Sequence, residues 1–370
     1  MEVVREAQAL EARGVDVIHL EIGEPDFATP APVVEAAKIA LSEGVTRYTD
    51  ARGIAPLREA ISAWYAAQGA LVSPERIQIT QGASAALLLA SAVTVNPGES
   101  VLLADPGYPC NPRFIETVGG KVHWLPTDAK TAFQPTIEGV KAAAGEMDRV
   151  LMLAHPANPT GMMVPEPTLG QLIKWCEETA RHLVVDEIYL NLGFSEVKTS
   201  LCTSDRHFVA GSFSKYFNMT GWRLGWLVVP EYALAASQKL AQHLFICAPA
   251  MAQQAAIACF RPDVLAEANA RRDTLKARRD RLIPALQALG FDVAAVPEGA
   301  FYVFADASRL TSDTSQFCLD LIRHTGVAIT PGVDFSERLP NHWVRIAFTQ
   351  PVERLDEAVS RMAEYLNASL

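Results

Sequence analysis

The sequence holds no run of about 20 apolar residues, the length a helix needs to cross a bilayer. Its nearest approach, Ala83 to Val95, is shorter and is broken by Ser84, Ser91 and Thr94. A secretory start is also missing: Met1 to Gly14 alternates charge with Ala and Leu, with no basic segment leading into an apolar one. Paired cysteines are absent. Cys110, Cys176, Cys202, Cys247, Cys259 and Cys318 are scattered without a CxxC pair, which argues against a disulfide framework or a structural zinc site. None of the eight histidines falls at a recognisable ligand spacing, so no metal is expected. These shortages point to a reducing, cytoplasmic setting with no membrane partner. Positive charge is scarce as well. Lys and Arg number 32 against 42 Asp and Glu, a net charge of −10, which opposes phosphate backbones and makes nucleic acid an improbable partner.

What the chain does have is apolar material. Hydrophobic residues make up 49% of its 370 positions and charged residues 20%, enough for a large core and, at about 150 residues per domain, for roughly two domains. Short apolar runs predict strands at Ile77–Thr80, Val101–Ala104, Val122–Leu125, Val150–Ala154, Leu183–Val185, Phe208–Gly211 and Trp226–Val229. They are apolar throughout rather than alternating, which suits strands covered on both faces. Helical stretches lie between several of them, at Pro56–Gln68, Ala83–Thr94, Cys110–Val118 and Pro167–Ala180. Alternation of this kind predicts an α/β fold with a mostly parallel sheet sandwiched by helices. From Tyr232 to about Gly290 the chain reads as nearly all helix, followed by Phe301–Phe304, Val327–Ile329 and Trp343–Phe348 between further helical stretches. That predicts a smaller α+β domain, with residues 28–270 in the large domain and 1–27 and 271–370 in the small one. The charged run Arg271 to Arg281 reads as a solvated helix face, because Asp273 and Asp280 are interleaved with its arginines.

Ligands of an open parallel sheet bind beyond the carboxyl ends of its strands, so the residues just after each strand carry the functional reading. Gln81-Gly82-Ala83-Ser84 opens a helix whose free N–H groups would seat a phosphate; alone, it reads better as an ordinary turn capped by Ser84. Asp105-Pro106-Gly107-Tyr108-Pro109 would hold Tyr108 over the sheet edge, to stack on a flat ligand or simply to pack. Asn158, between Pro156 and Pro159, could offer its amide to a ligand or cap its own turn. Asp186 ends an apolar strand, where a carboxylate needs a cationic partner, structural or otherwise. A shared metal with Glu187 is disfavoured because neighbouring strand residues face opposite ways. Lys215, among Ser, Phe, Tyr and Met, would lose its proton readily and attack an aldehyde if desolvated; the alternative is a snorkelling surface lysine. Arg223 must meet an anion if buried. Jointly these residues supply what pyridoxal phosphate needs.

At this point the sequence strongly resembles the fold-type I, class I/II aminotransferases, from about Leu20 to the C-terminus. The resemblance is carried by Glu21-Ile22-Gly23-Glu24-Pro25-Asp26-Phe27, Tyr48-Thr49 with Gly53 and Leu57-Arg58, the Thr80 to Ser84 turn, Asp105 to Pro109, Asn158-Pro159-Thr160-Gly161, Asp186 to Tyr189, Ser212 to Lys215 with Arg223, and Val344-Arg345-Ile346-Ala347. It implies an aspartate aminotransferase-like fold, with a seven-stranded sheet in the large domain. It also implies a cofactor, pyridoxal 5′-phosphate, and amino transfer between an L-amino acid and a 2-oxo acid by a ping-pong mechanism. Lys215 would hold the cofactor and move the substrate proton, with Asp186 on the pyridine nitrogen. Asn158 and Tyr189 would bond the ring hydroxyl and Tyr108 would stack on the ring. Ala83, Ser84, Ser212 and Arg223 would hold the phosphate. Arg345 would grip the substrate carboxylate, with Asn158 beside it, and Gly23 would let the backbone pass close. The residue at Tyr48 reaches the neighbouring subunit's phosphate in this family, implying a homodimer with shared active sites.

Two departures stand out. The stretch before Ala7 is shorter than the family's usual N-terminal arm. Some aspartate-using members also carry Lys where this chain has Ser84, which weakens an aspartate preference. A carbon–sulfur β-lyase of the same fold and cofactor is the alternative activity, since both reactions begin by removing the Cα proton. Regulators built on this fold carry a DNA-binding domain ahead of it, for which no room is expected before Leu20.

Overall fold

The computed structural model describes residues 2–369. Its centre is a seven-stranded sheet of β2 to β8, preceded in the chain by the short β1 (Ile18–His19). These are β2 (Ile77–Thr80), β3 (Ser100–Asp105), β4 (Lys121–Pro126), β5 (Asp148–Ala154), β6 (His182–Asp186), β7 (Phe208–Ser212) and β8 (Gly225–Val228). The order across the sheet is β2-β8-β7-β6-β5-β3-β4. Only β8 runs against its neighbours, pairing antiparallel with both β2 and β7. The predicted strands fall where the apolar runs placed them, each within two residues at either end. Their uniform apolarity has a direct cause. Along β5 and β6, Leu151, Leu153, Leu183 and Val185 enter one core, while Val150, Met152 and Val184 enter a second core on the opposite face. Both faces are covered along the middle of these strands, which leaves no position there for a polar residue.

Helix Gly82–Thr94 is buried on most sides, beside β7 and β8 and against helix Leu234–Leu244, which is why its sequence is apolar nearly all round. The expected long helical stretch after Tyr232 is broken into helices Leu234–Leu244, Ala250–Ile257 and Pro262–Ala288. The last of these runs unbroken through Ala270.

The remaining strands are β9 (Tyr302–Asp306), β10 (Val327–Ala328), β11 (Thr330–Pro331) and β12 (Trp343–Ala347). β12 is the middle of a three-stranded antiparallel sheet between β11 and β9. The apolar run Val327–Ile329 therefore divides: its first part pairs in parallel with β1, and the chain then re-pairs through β11 with β12. β1 has only two residues, too short to leave a pattern in the sequence.

The Arg271 to Arg281 run is a solvated face only in part: Asp273, Lys276, Asp280 and Arg281 are exposed, but other arginines turn inward. Arg278 is buried, donates from both guanidinium nitrogens to Asp26 at 2.7 and 2.9 Å and to the Thr349 carbonyl, and covers the Phe27 ring. Arg271 donates to the Ala28 carbonyl and Asn218 Oδ1 and also lies over Phe27. Among the described residues, Asp273 and Asp280 pair only with their neighbours Arg272 and Arg279. Interleaved acids gave the impression of local neutralisation, whereas the partners that turn the helix inward are remote in the chain, Asp26 and Ala28 among them some 250 residues earlier.

The segment leading to Gly23 is tied down by His19, whose Nδ1 and Nε2 lie 2.8 Å from Glu21 and 3.0 Å from Glu11. The Glu21 hydrogen bond holds its pKa up at about 9. A raised histidine stabilises the fold fully below its unfolded pKa of 6.5, and that stability is lost as pH rises through 9. His19→Gln should therefore cost about 1–2 kcal/mol at about pH 6, after allowing for solvent screening, and almost nothing at about pH 10. Urea unfolding of both proteins at the two pH values checks this; an equal difference at both would remove His19 from the pH response.

Candidate active site

Five strands, β2, β3, β5, β6 and β7, lead into the candidate residues at one edge of the sheet. Asp186 is the last residue of β6, in register between Ala154 of β5 and Ala210 of β7. Its carboxylate is 4% exposed and accepts one bond, from the Ile188 N–H at 3.1 Å. Burial pushes its pKa up to about 7. A carboxylate held so dry with a single hydrogen bond lacks the cation it needs to ionise. Glu187, the next residue, turns away into its own buried cluster with Thr199 and Ser200. The two carboxylates thus face opposite ways.

Lys215 follows β7. Its Nζ donates to the Gly23 carbonyl at 2.7 Å and lies 5.8 Å from the Phe301 ring centre. Desolvation pulls its pKa down to about 8. The structure thus selects a desolvated amine over a snorkelling one, and at such a pKa a useful fraction is neutral and nucleophilic near pH 7.

The start of helix Gly82–Thr94 forms an anion seat. Its N-cap, Gln81, makes no side-chain capping bond, so the first N–H groups, those of Ala83 and Ser84 among them, stay available. Two glycines bring the parts together. A Cβ on Gly225 would sit 2.9 Å from Ala83 N, and one on Gly82 would sit 2.5 Å from Arg223 Nη2. Arg223 takes a left-handed backbone (φ 51°) and stays exposed, with Nη1 on the Thr220 carbonyl. Ser212 ends β7 and accepts from the Ser214 N–H.

Arg345 lies at the middle of β12, facing inward and only 6% exposed. Nη1 donates to Asn158 Oδ1 at 3.0 Å and Nη2 to the Glu21 carbonyl at 2.5 Å. Its guanidinium is sandwiched between the rings of Tyr302 and Phe335, 4.3 and 4.5 Å from their centres, which fixes its plane. Its Nε has no hydrogen-bond partner among the described residues. Tyr302 also bonds Tyr189, hydroxyl to hydroxyl at 3.0 Å. Gly23 is required here, because a Cβ would come within 2.0 Å of the Tyr302 oxygen.

The structure thus brings Gly23, Asn158, Tyr189, Lys215 and Arg345 into one connected cluster, with Asp186 beside it. Tyr108 is half-buried, and desolvation together with a bond to Cys110 raises its pKa. Tyr48 is not joined to this cluster by any of the bonds above and is 82% exposed. Sequence reading missed Phe335 and Thr330, which flank Arg345, and the Glu21 carbonyl. Phe335 sits in a loop with no periodic pattern, and a backbone carbonyl leaves no trace in residue identity.

Comparison with known proteins agrees in kind. The profile of the family aminotransferase class I and II matches residues 15–362. A valine–pyruvate aminotransferase of Mycobacterium tuberculosis is 38% identical over 358 residues, spanning 95% of this chain and 91% of that one. An aspartate aminotransferase of Thermotoga maritima is 33% identical, spanning 100% and 96%. A solved structure of an aminotransferase from Mycobacterium tuberculosis superposes with a TM-score of 0.96 at 37% identity, covering 100% of this chain and 96% of that one.

Proposed function

The chain belongs to the class I and II aminotransferases, and on that footing we propose that it transfers the amino group of a neutral L-amino acid to a 2-oxo acid, using pyridoxal 5′-phosphate bound at Lys215. One observation carries the reading: a desolvated lysine and a dry, nearly bare carboxylate, Asp186, lie at the same sheet edge as an uncapped helix start. The donor set fits the group. Asp186 lacks a cation, which a protonated pyridine nitrogen is. Ala83, Ser84, Ser212 and Arg223 form an anion seat of the right chemistry for its phosphate. Tyr108 would lie on the ring, and Asn158 and Tyr189 would reach its hydroxyl. When bound, pyridoxal phosphate supplies an electron sink for the substrate's Cα electrons.

This chain's own residues do the rest. Arg345 presents a flat, pre-oriented fork for a carboxylate. Lys215 takes and returns the Cα proton. Tyr302 and Ile22 border the place left for the side chain: Ile22 is exposed between Glu21, whose carbonyl holds Arg345, and Gly23, whose carbonyl holds Lys215. Ser84 adds no charge there, which favours an apolar donor over an acidic one. A screen of donors against pyruvate and 2-oxoglutarate tests this. Aspartate turned over faster than valine, leucine or alanine would overturn the donor class.

Arg345→Lys keeps the charge and loses the fork. It should lower kcat/KM for every amino acid by about 1.5–3 kcal/mol, the value of one hydrogen bond to a charged group. Amines without a carboxylate should be nearly indifferent; an equal loss for them would take Arg345 out of the substrate site.

The large domain of 28–270 and the small domain of 1–27 with 271–370 are carried forward as part of this reading, as is a homodimer. The homodimer rests on the family resemblance at Tyr48, an exposed residue. If Tyr48 serves the neighbouring site, hybrids of Tyr48→Phe and Lys215→Ala chains have one site with neither lesion and should recover up to half of wild-type activity per dimer. Hybrids no more active than the better parent would place Tyr48 at its own chain's site.

A further inference from the structure

A cavity of about 400 Å³ lies between the start of helix Glu166–Glu178 and the segment 196–203. None of the residues assigned above to cofactor or substrate lines it. It borders the site nonetheless: His155, in its wall, is three residues before Asn158 in the loop after β5. Glu298, also in its wall, donates its backbone N–H to the Gly161 carbonyl, at the end of that same loop.

His155 puts a buried polar ring in the cavity wall. The residue is 4% exposed, and its Nδ1 accepts from the Val164 N–H at 3.1 Å, which puts the ring proton on Nε2. Nε2 has no hydrogen-bond partner among the described residues. Burial pulls the ring's pKa down to about 4, so at neutral pH it is an uncharged donor. Around it the wall combines one cation, Lys198, with the carboxylates of Glu166, Glu196 and Glu298. The remainder is largely apolar, with Val164, Leu169 and Val197 contributing. Such a wall asks for one acceptor group, one ammonium group and a small apolar body, and 400 Å³ leaves ample room for a molecule of that size.

We propose that this cavity is a second amino-acid site. A zwitterionic α-amino acid with an aliphatic side chain would place its carboxylate on His155 Nε2–H and Lys198, its ammonium among the glutamates, and its side chain against Leu169 and Val197. The site is separate from the one at Lys215, and its ligand class follows from its own wall, whichever donor the active site takes.

Cys202 lines the same cavity and is the one exposed cysteine among the described residues, its thiol on the Gln68 carbonyl; Cys110 and Cys247 are half-buried and the others buried. Alkylation of Cys202 by iodoacetamide in the full-length enzyme, followed by peptide mass mapping, therefore reads occupancy without reference to turnover. L-leucine at about ten times its dissociation constant should slow labelling of Cys202 by about tenfold. Cys247, outside the cavity, should label as before. Sodium acetate and butylamine, each carrying half of the ligand's chemistry, should protect far less. His155→Phe and, independently, Glu196→Gln should remove the protection while transamination continues, and Arg345→Lys should leave the protection in place. The proposal fails if Cys202 labels at the same rate with and without leucine. It also fails if acetate or butylamine protects equally, if both His155→Phe and Glu196→Gln remain protected, or if Arg345→Lys abolishes the effect.

Discussion

Lys215→Ala should lower kcat by about 10⁴-fold or more, because one substitution removes both the covalent anchor and the group that moves the Cα proton. The variant should still take up pyridoxal phosphate through Asp186, the helix start and Arg223, but borohydride should no longer fix the cofactor to the chain. In the wild-type protein the fixed cofactor should map to the peptide containing Lys215. Attachment to the cofactor-free enzyme has a pH signature as well. The neutral amine is the nucleophile, and desolvation sets its pKa at about 8; the attachment rate should climb with pH and level off above that value. A reduced adduct on another lysine would end the assignment.

Asp186→Ala should come next in size. The carboxylate is buried against Ala154 and Ala210 with a single N–H bond, so it has little structural work to do without a cation. With one, the pair is buried, and breaking it should cost on the order of 3–5 kcal/mol. The loss should appear in kcat, by about 10²–10⁴-fold, more than in cofactor occupancy, because the phosphate seat is untouched. Asp186→Asn should behave much like Ala, since an amide cannot hold a proton on the pyridine nitrogen. Turnover within about threefold of wild type in either variant would make Asp186 a purely structural residue.

What could be read ahead of the structure divides by range. Strands such as Val150–Ala154 were legible because burial on two faces forces every residue to be apolar, and that is a property of consecutive positions. The groups at their ends were legible because topology alone says which edge of such a sheet binds ligands. Arg278 was misread for the converse reason: its partner Asp26 is remote in the chain, and its near neighbours include acids that neutralise other arginines. The sandwich of Arg345 between Tyr302 and Phe335 and the pairing of β1 with β10 are products of folding in the same sense. His155 showed nothing in sequence beyond a histidine before proline; its unpaired Nε2 exists only once Val164 has folded back onto its other nitrogen.

The pairing of Ile18 with Val327 and the bond from Arg345 to the Glu21 carbonyl bear on the order in which a ribosome delivers the parts. The segment that supplies Gly23 leaves the exit tunnel first, yet its strand partner and the arginine it must hold are among the last residues made. The central sheet, complete by Val228, can form while the remainder is still being translated. Throughout that interval the segment carrying Gly23 lacks its β10 partner, and Arg345 is not yet present to bond the Glu21 carbonyl. Chains stalled or cleaved before β12 would therefore keep much of the anion seat and lose the amino-acid end of the site, leaving products that sequester cofactor without turning over substrate.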